Sequence, residues 1–319
     1  MLNSPKALAT IAPDAYARDV LPLTAPLWAG RRTFDEYVEQ TLEIARSPYG
    51  RRYYRTNALY DGARPVSSFK RYERAMHHGS RRLRAFGIGA VFTPPEERGR
   101  GYASVMLALA LDRAKSEGFD VAYLFSDIRP QFYANLGFVE LPSRRFSLRA
   151  DALPAKRLEV SRFEERDWSG ASRAFELGER RRIAGFLRSA SVWGWIRMLG
   201  RHGGDRQTNL VVRRGRSIAA YVLGTRDPER DAYVLEEFGF GDDSAAAAIP
   251  PLLRAAAGDL RRVVGWSPPG SAARLLRKGH LTKRTRAILM MAPLTSAGAR
   301  LIDAVRSSAA DFCWPNDHI

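Results

Sequence analysis

The first residues whose types and spacing could do chemistry are Arg98-Gly99-Arg100-Gly101. They lie between an apolar strand-like run, Ile88 to Thr93, and an apolar helix-forming run that reaches Leu111. Glycine lets backbone approach a ligand closely, and a helix start presents unpaired N–H groups at the positive end of its dipole. Strand, turn, glycine loop and helix in this order therefore suit phosphate oxygens. The spacing is not G-x-G-x-x-G, because Ser104 stands where the third glycine or alanine would be, and no Lys-Ser or Lys-Thr follows as in a phosphate loop. Among groups that could move a proton, Glu73, Asp127, His77 and His78 qualify by type, and spacing selects none of them. Neighbouring histidines on a strand point to opposite faces, which favours turn residues over a ligand pair. The single cysteine, Cys313, excludes an internal disulfide and a cysteine-cluster metal site, and no metal is expected.

The loop resembles the R-x-x-G-x-A signature of the GNAT acetyltransferases, carried here by Arg98, Gly101 and Ala103. Downstream, Phe132-Tyr133-Ala134-Asn135-Leu136-Gly137-Phe138 resembles that superfamily's second signature, an aromatic-Tyr-x-x-Leu-Gly-Phe helix end. The resemblance implies acetyl-CoA as cosubstrate and direct acetyl transfer, in a ternary complex, to a primary amine of a small molecule or a lysine. It places pyrophosphate on the backbone of Arg98, Gly99, Arg100, Gly101, Tyr102 and Ala103, with Arg100 adding charge. It also places pantetheine along Val91, Phe92 and Thr93, a further cofactor contact at Ser126 and Asp127, and a proton donor for the leaving thiolate at Tyr133. Nothing in the motif reads the acyl chain, so another acyl group or an O-acceptor stays open, as does a CoA-binding scaffold without catalysis.

The elements that must position these residues can be read in order. Residues 12 to 29 read as a helix broken at Pro22 and Pro26, and Thr33 caps a second helix with Phe34, Val38, Thr41, Leu42 and Ala45 on one face. Arg52 to Tyr60 and Pro65 to Met76 form a hairpin around Asp61-Gly62, and Arg82 to Thr93 is the next strand. The helix from Gly101 ends at Gly118, Val121 to Phe125 is a buried strand, and Arg144 to Leu148 is expected to close the sheet. After a linker at Asp151 to Lys156 the order of elements repeats at a period of roughly 150 residues. Leu158 to Phe163 is a strand, Trp168 to Arg188 and Val192 to Gly200 are helices, and Asn209 to Arg213, Ser217 to Thr225 and Ala232 to Phe240 are strands. A helix at Ala245 to Ala257 follows, then strands at Arg261 to Trp266 and Thr285 to Ala292, the last returning to the second sheet.

The expected fold class is α/β (α+β): two tandem GNAT-like domains, each a mixed twisted sheet flanked by helices, with a catalytic domain at 1–150 and a degenerate one at 157–319. Where the first half has Arg98 to Ala103, the second has Gly239-Phe240-Gly241-Asp242-Asp243, whose aspartates would repel pyrophosphate, and Leu275 stands where Tyr133 would be. Glu236 and Glu237, adjacent on a strand, are expected on opposite faces, and Trp193 and Trp195 in the core or an interface.

Tandem copies with one working site resemble the enhanced-intracellular-survival family of bacterial acetyltransferases. Members usually carry a third, sterol-carrier-like domain. Here 25 residues follow Leu294, so that domain is expected to be absent or reduced to a helix, Ser296 to Ser308, and a tail. The resemblance implies that the C-terminal carboxylate, on Ile319, returns to the active site as proton acceptor, and it leaves a homo-oligomer open. Phe312, Trp314 and Ile319 in the tail favour docking over fraying. The net charge of +17 comes from 51 Lys and Arg that are nearly all Arg and scattered in short clusters such as Arg51-Arg52 and Arg180-Arg181-Arg182, so no nucleic-acid partner is expected. No apolar run is long enough to span a bilayer, the N-terminus lacks the pattern of a signal peptide, and a cytoplasmic location is expected.

Overall fold

The computed structural model describes residues 6–201, 204–276 and 279–319. The chain begins with β1 (Lys6–Ile11), α1 (Pro13–Asp19), α2 (Leu21–Trp28), α3 (Phe34–Arg46) and α4 (Pro48–Tyr53). Thr33 and Glu36 close a reciprocal capping box at the start of α3. Pro22 falls in the first turn of α2, where its missing N–H costs nothing, and Pro26 lies inside that helix rather than ending it, contrary to the reading from sequence. Ser47 both ends α3 and starts α4, accepting from the Gly50 N–H.

Next come β2 (Tyr54–Asp61), β3 (Arg64–His78), β4 (Arg81–Phe92), α5 (Tyr102–Ser116), β5 (Val121–Ser126), α6 (Pro130–Ala134), β6 (Val139–Glu140) and β7 (Arg144–Arg149). The second half supplies β8 (Val160–Arg162), α7 (Trp168–Arg180), β9 (Ala184–Leu187), α8 (Ala190–Arg201), β10 (Leu210–Arg214), β11 (Ser217–Asp227) and β12 (Ala232–Phe240). It continues with α9 (Ile249–Ala257), β13 (Arg262–Trp266), β14 (His280–Lys283), β15 (Ile288–Pro293) and α10 (Ser296–Ser308).

Two mixed sheets result. One runs β1-β2-β3-β4-β5-β15-β6 with β9 also on β3, and the other runs β14-β7-β13-β12-β11-β10-β8. Each sheet therefore contains a strand from the other half. β7, expected to close the first sheet, pairs with β13 and β14 in the second. β15, expected in the second, lies between β5 and β6 in the first. All of β15 except Pro293 is buried, which suits an interior strand of either sheet, so its own residues do not choose between them.

The stretch Trp168 to Arg188, expected as one helix, ends its helix at Arg180 and continues as β9, which extends the edge of β3 beyond the reach of β2. A short buried apolar run has no period that separates strand from helix. Phe69, Phe86, Met106, Leu107, Ala110 and Phe119 form a core between α5 and the first sheet. On the other face Met76, Tyr123, Phe186, Leu289, Leu301 and Phe312 pack with α10 and the tail. Among the described residues no helix is long and apolar enough to cross a membrane.

Candidate active site

β4 and β5 run parallel from Ala85 opposite Val121 to Ile88 opposite Leu124, where their pairing stops. Next to that point the pairing of β3 with β4 slips by one residue, since Lys70 faces Gly89 and Ser68 faces Phe92. The extra residue is accommodated at Ala90, whose φ of 47° is left-handed. A bulge of this kind bends the strand and breaks its ladder, and so opens a gap beside β5.

The glycine loop follows. Gly99 and Gly101 have φ of 78° and 76°, values costly for any residue with a Cβ, and the space above both is open. Gly101 precedes α5 with no side-chain cap, so the first N–H groups of the 15-residue helix are left to a ligand or solvent. The side chains here are more committed than their types suggest. Arg98 Nε donates to the Thr93 carbonyl at 3.1 Å. Arg100 lies 3.1 Å from buried Glu97, which also pairs with Arg64. Tyr102 turns inward and donates to Asp61 at 3.1 Å, so only its backbone faces the loop.

Phe92 is buried against Trp28 and Val91 packs on the α5 core, while the Thr93 hydroxyl meets Ser67 at 2.9 Å. At the end of β5, Ser126 is buried and donates to the Ile128 carbonyl at 3.0 Å, and Asp127 accepts from the Ala287 N–H at 3.0 Å. Both side chains shape the turn that leads to α6. Tyr133, on α6, packs on the same core as Val91, between Phe132 at 5.0 Å and Phe138 at 6.2 Å. Burial, and then the nearby Asp127 carboxylate, push its phenol up to about 12.

The tail folds back through the groove between the two sheets. Phe312 packs on Phe186 at 5.3 Å and Trp314 on Phe238 at 4.9 Å. Asp317 is buried and accepts from Arg74 at 2.9 Å and Arg188 at 3.0 Å, and Arg188 also donates to Glu237 at 2.7 Å. Burial alone would raise the Asp317 pKa, but Arg188 and Arg74 hold it below the ordinary carboxylate range. His318 is exposed, with its ring beside Phe125 and Trp266.

The chain ends on β4. A Cβ placed on Gly89 would stand 3.5 Å from the carboxylate carbon of Ile319, and one on Gly87 would stand 2.7 Å from its Cδ1. Gly89 therefore makes room for the C-terminal carboxylate and Gly87 for the Ile319 side chain. Sequence reading passed over them, although glycine at alternate strand positions signals close approach by another backbone.

The other candidate bases are differently placed. Glu73 points to the α5 face and pairs with Arg71 at 2.7 Å, and His77 meets Glu179 at 3.3 Å. Glu236 and Glu237 do not alternate. A bulge against Leu223 and Gly224 turns both to the same side, where Glu236 accepts from Thr225 at 3.1 Å and Glu237 from Tyr221 at 2.7 Å. Trp195 is buried and stacks on Tyr49 at 5.0 Å, and Trp193 is buried beside Phe175.

Residues 29–140 match the family model described as an acetyltransferase (GNAT) domain. They form a GNAT domain. Among solved structures the chain resembles a GCN5-related N-acetyltransferase from Kribbella flavida, at 20% identity over 92% of this chain and 73% of that one, with a TM-score of 0.68. It also resembles Eis1 from Mycobacterium abscessus, at 11% identity over 91% and 74%, with a TM-score of 0.62. A tandem GNAT protein from the clavulanic acid biosynthesis pathway matches at 14% identity over 91% and 99%, with a TM-score of 0.53. No curated protein matches. The second sheet repeats the GNAT plan: β12 and β13 are parallel from Ala232 to Leu235 and part at the Glu236 bulge, and α9 connects them.

Proposed function

We propose that this protein transfers an acyl group, with acetyl the first expectation, from acyl-CoA to a primary amine of a small molecule or a lysine, with both substrates bound at once. The observation that carries the reading is the carboxylate of Ile319 lying against Gly89, on the strand whose bulge opens the gap toward the glycine loop. The cosubstrate supplies an activated thioester. The open backbone N–H groups from Gly99 to Ala103 suit its pyrophosphate, and the strand edge at Val91 to Thr93 suits its pantetheine arm. Ser126 and Asp127 hold the turn between β5 and the helix that carries Tyr133.

In this reading the Ile319 carboxylate takes a proton from the incoming ammonium, directly or through a water, so that nitrogen attacks neutral. The Tyr133 hydroxyl gives a proton to the departing sulfur. With its pKa raised to about 12 the phenol stays protonated throughout the neutral range, as a donor must. Acetyl-, propionyl- and longer acyl-CoA would be incubated with a panel of amines, hydroxyl compounds and lysine peptides, and the products followed by mass spectrometry. Acylated amine with release of free CoA is expected. Tight CoA binding without acyl transfer to any acceptor would leave the scaffold reading in its place.

A further inference from the structure

The sheet face that seats Ile319 continues into a cluster of buried polar groups that neither the tail nor the glycine loop uses. Lys70 on β3 stands directly opposite Gly89, so its side chain leaves the sheet on the same face as the C-terminal carboxylate. It is only 8% exposed, and among the described residues no carboxylate forms a salt bridge with it. Its Nζ lies 5.9 Å from the ring centre of Tyr16 on α1 and 5.8 Å from that of Tyr37 on α3. The buried hydroxyls of Tyr16 and Ser68 have only each other, and that of Tyr54 is buried with no hydrogen-bond partner. That of Tyr37 reaches only Thr24, at 3.3 Å.

A second cation joins them. Arg32 lies over the Tyr37 ring at 5.3 Å, gives its Nε and one terminal nitrogen to the carbonyls of Ala29 and Trp28, and is half-buried, so the cluster borders solvent on its side. Burial, and then Arg32, lower the Lys70 pKa to about 8. Buried lysines are almost always paired, and a buried hydroxyl without a partner costs free energy. An anion bound among these groups would relieve both costs at once.

Resting on the acceptor reading above, we propose that this cluster is an acceptor subsite for an anionic group, and that the acceptor is an amino acid whose amine lies at the Ile319 carboxylate and whose acid lies at Lys70 and Arg32. The lysine stem carries its charge away from Gly89. The two ends of the acceptor are therefore several bonds apart, as in an ω-amino acid and unlike an α-amino acid.

The test uses pairs that differ only in the acid: 6-aminohexanoate against pentylamine, and 4-aminobutyrate against propylamine. Each is assayed with acetyl-CoA and the full chain by release of CoA thiol. The acid-bearing member should have the higher kcat/KM by about tenfold or more, the scale of one charge-assisted hydrogen bond. Lys70→Met should erase most of that ratio and Lys70→Arg restore part of it, with melting temperature and acetyl-CoA affinity confirming that both variants are folded. A wild-type ratio near one, or the same ratio in wild type and Lys70→Met, overturns the proposal. If no amine is turned over, the acyl-transfer reading fails, and calorimetry of 6-aminohexanoate with the CoA-loaded chain still decides the subsite. Binding that weakens by about tenfold in Lys70→Met supports it, and no binding or equal binding overturns it.

Discussion

The two halves of the chain build the same strand–loop–helix junction and finish it in opposite ways. In the first, β4 leads through two left-handed glycines to α5, whose first N–H groups meet no side-chain cap. In the second, β12 leads to Asp242, whose carboxylate accepts from the Ala245 N–H at 2.9 Å and is held below the ordinary range by Ser244 and that N–H. The loop ahead of α5 leaves its backbone N–H groups to an anion, and the loop ahead of α9 already carries an aspartate that takes one of its own. The gaps beside the strands differ likewise. The tail brings a carboxylate to the edge of the first, whereas in the second it lays Trp314 on Phe238 and Asn316 on Glu237, and a cavity of about 250 Å³ remains. A duplicated fold can thus keep its backbone plan while a few side chains change what each junction offers to an anion.

The largest test of this contrast is Gly101→Asp. A side chain at a φ of 76° is strained, and its charge would oppose pyrophosphate, so acetyl-CoA affinity should fall by about a hundredfold or more. Calorimetry should show one site per chain in wild type and none in the variant. Two equivalent sites, or unchanged affinity, would remove the distinction between the halves.

Tyr133→Phe should leave acetyl-CoA affinity unchanged and slow turnover by about a hundredfold, the usual cost of losing a general acid. Leu275→Tyr, at the corresponding place in the second half, should neither rescue that variant nor alter the wild type. Equal turnover in Tyr133→Phe and wild type would make Tyr133 a packing residue.

Deleting Ile319, or extending the chain beyond it, should lower kcat by about tenfold to a hundredfold with cosubstrate binding retained. A carboxylate displaced from Gly89 cannot take a proton at the gap. Full activity in a C-terminally extended chain would mean that the tail only covers the groove.

The smallest effect is expected at the second junction. Asp242→Ala removes an acceptor for the Ala245 N–H in the loop ahead of α9 and should lower Tm by no more than about 2–4 °C without creating a second acetyl-CoA site. Asp242 is held below its ordinary pKa, so its contribution is present above the unfolded value and is lost as pH falls through the folded one. The Tm difference between wild type and Asp242→Ala should accordingly vanish in acid. A difference that persists there would mean that the carboxylate charge does not stabilise the loop.

Much of this fold was legible because the signals are local. The Thr33 cap, the Asp61-Gly62 turn, the helix Ser296 to Ser308 and the repetition of element order each depend on residues a few positions apart. β1, β9 and β14 escaped sequence reading. They are short, and two of them lie at the margins of the first sheet, where pairing rather than composition makes them strands. The assumption that Glu236 and Glu237 must face apart failed for a different reason. It took the strand for regular, and a bulge is set by the register of the partner strand.

The sequence by itself determined the glycine loop, its uncapped helix and the aspartates that replace it in the second copy, because φ preferences and helix ends are settled within one or two turns of chain. Only the tertiary structure decided that β7 and β15 change places between the sheets, that Lys70 faces tyrosines, and that Ile319 rests on Gly89. These outcomes depend on which distant surfaces bury one another, and residues far apart in the chain carry no local mark of that choice.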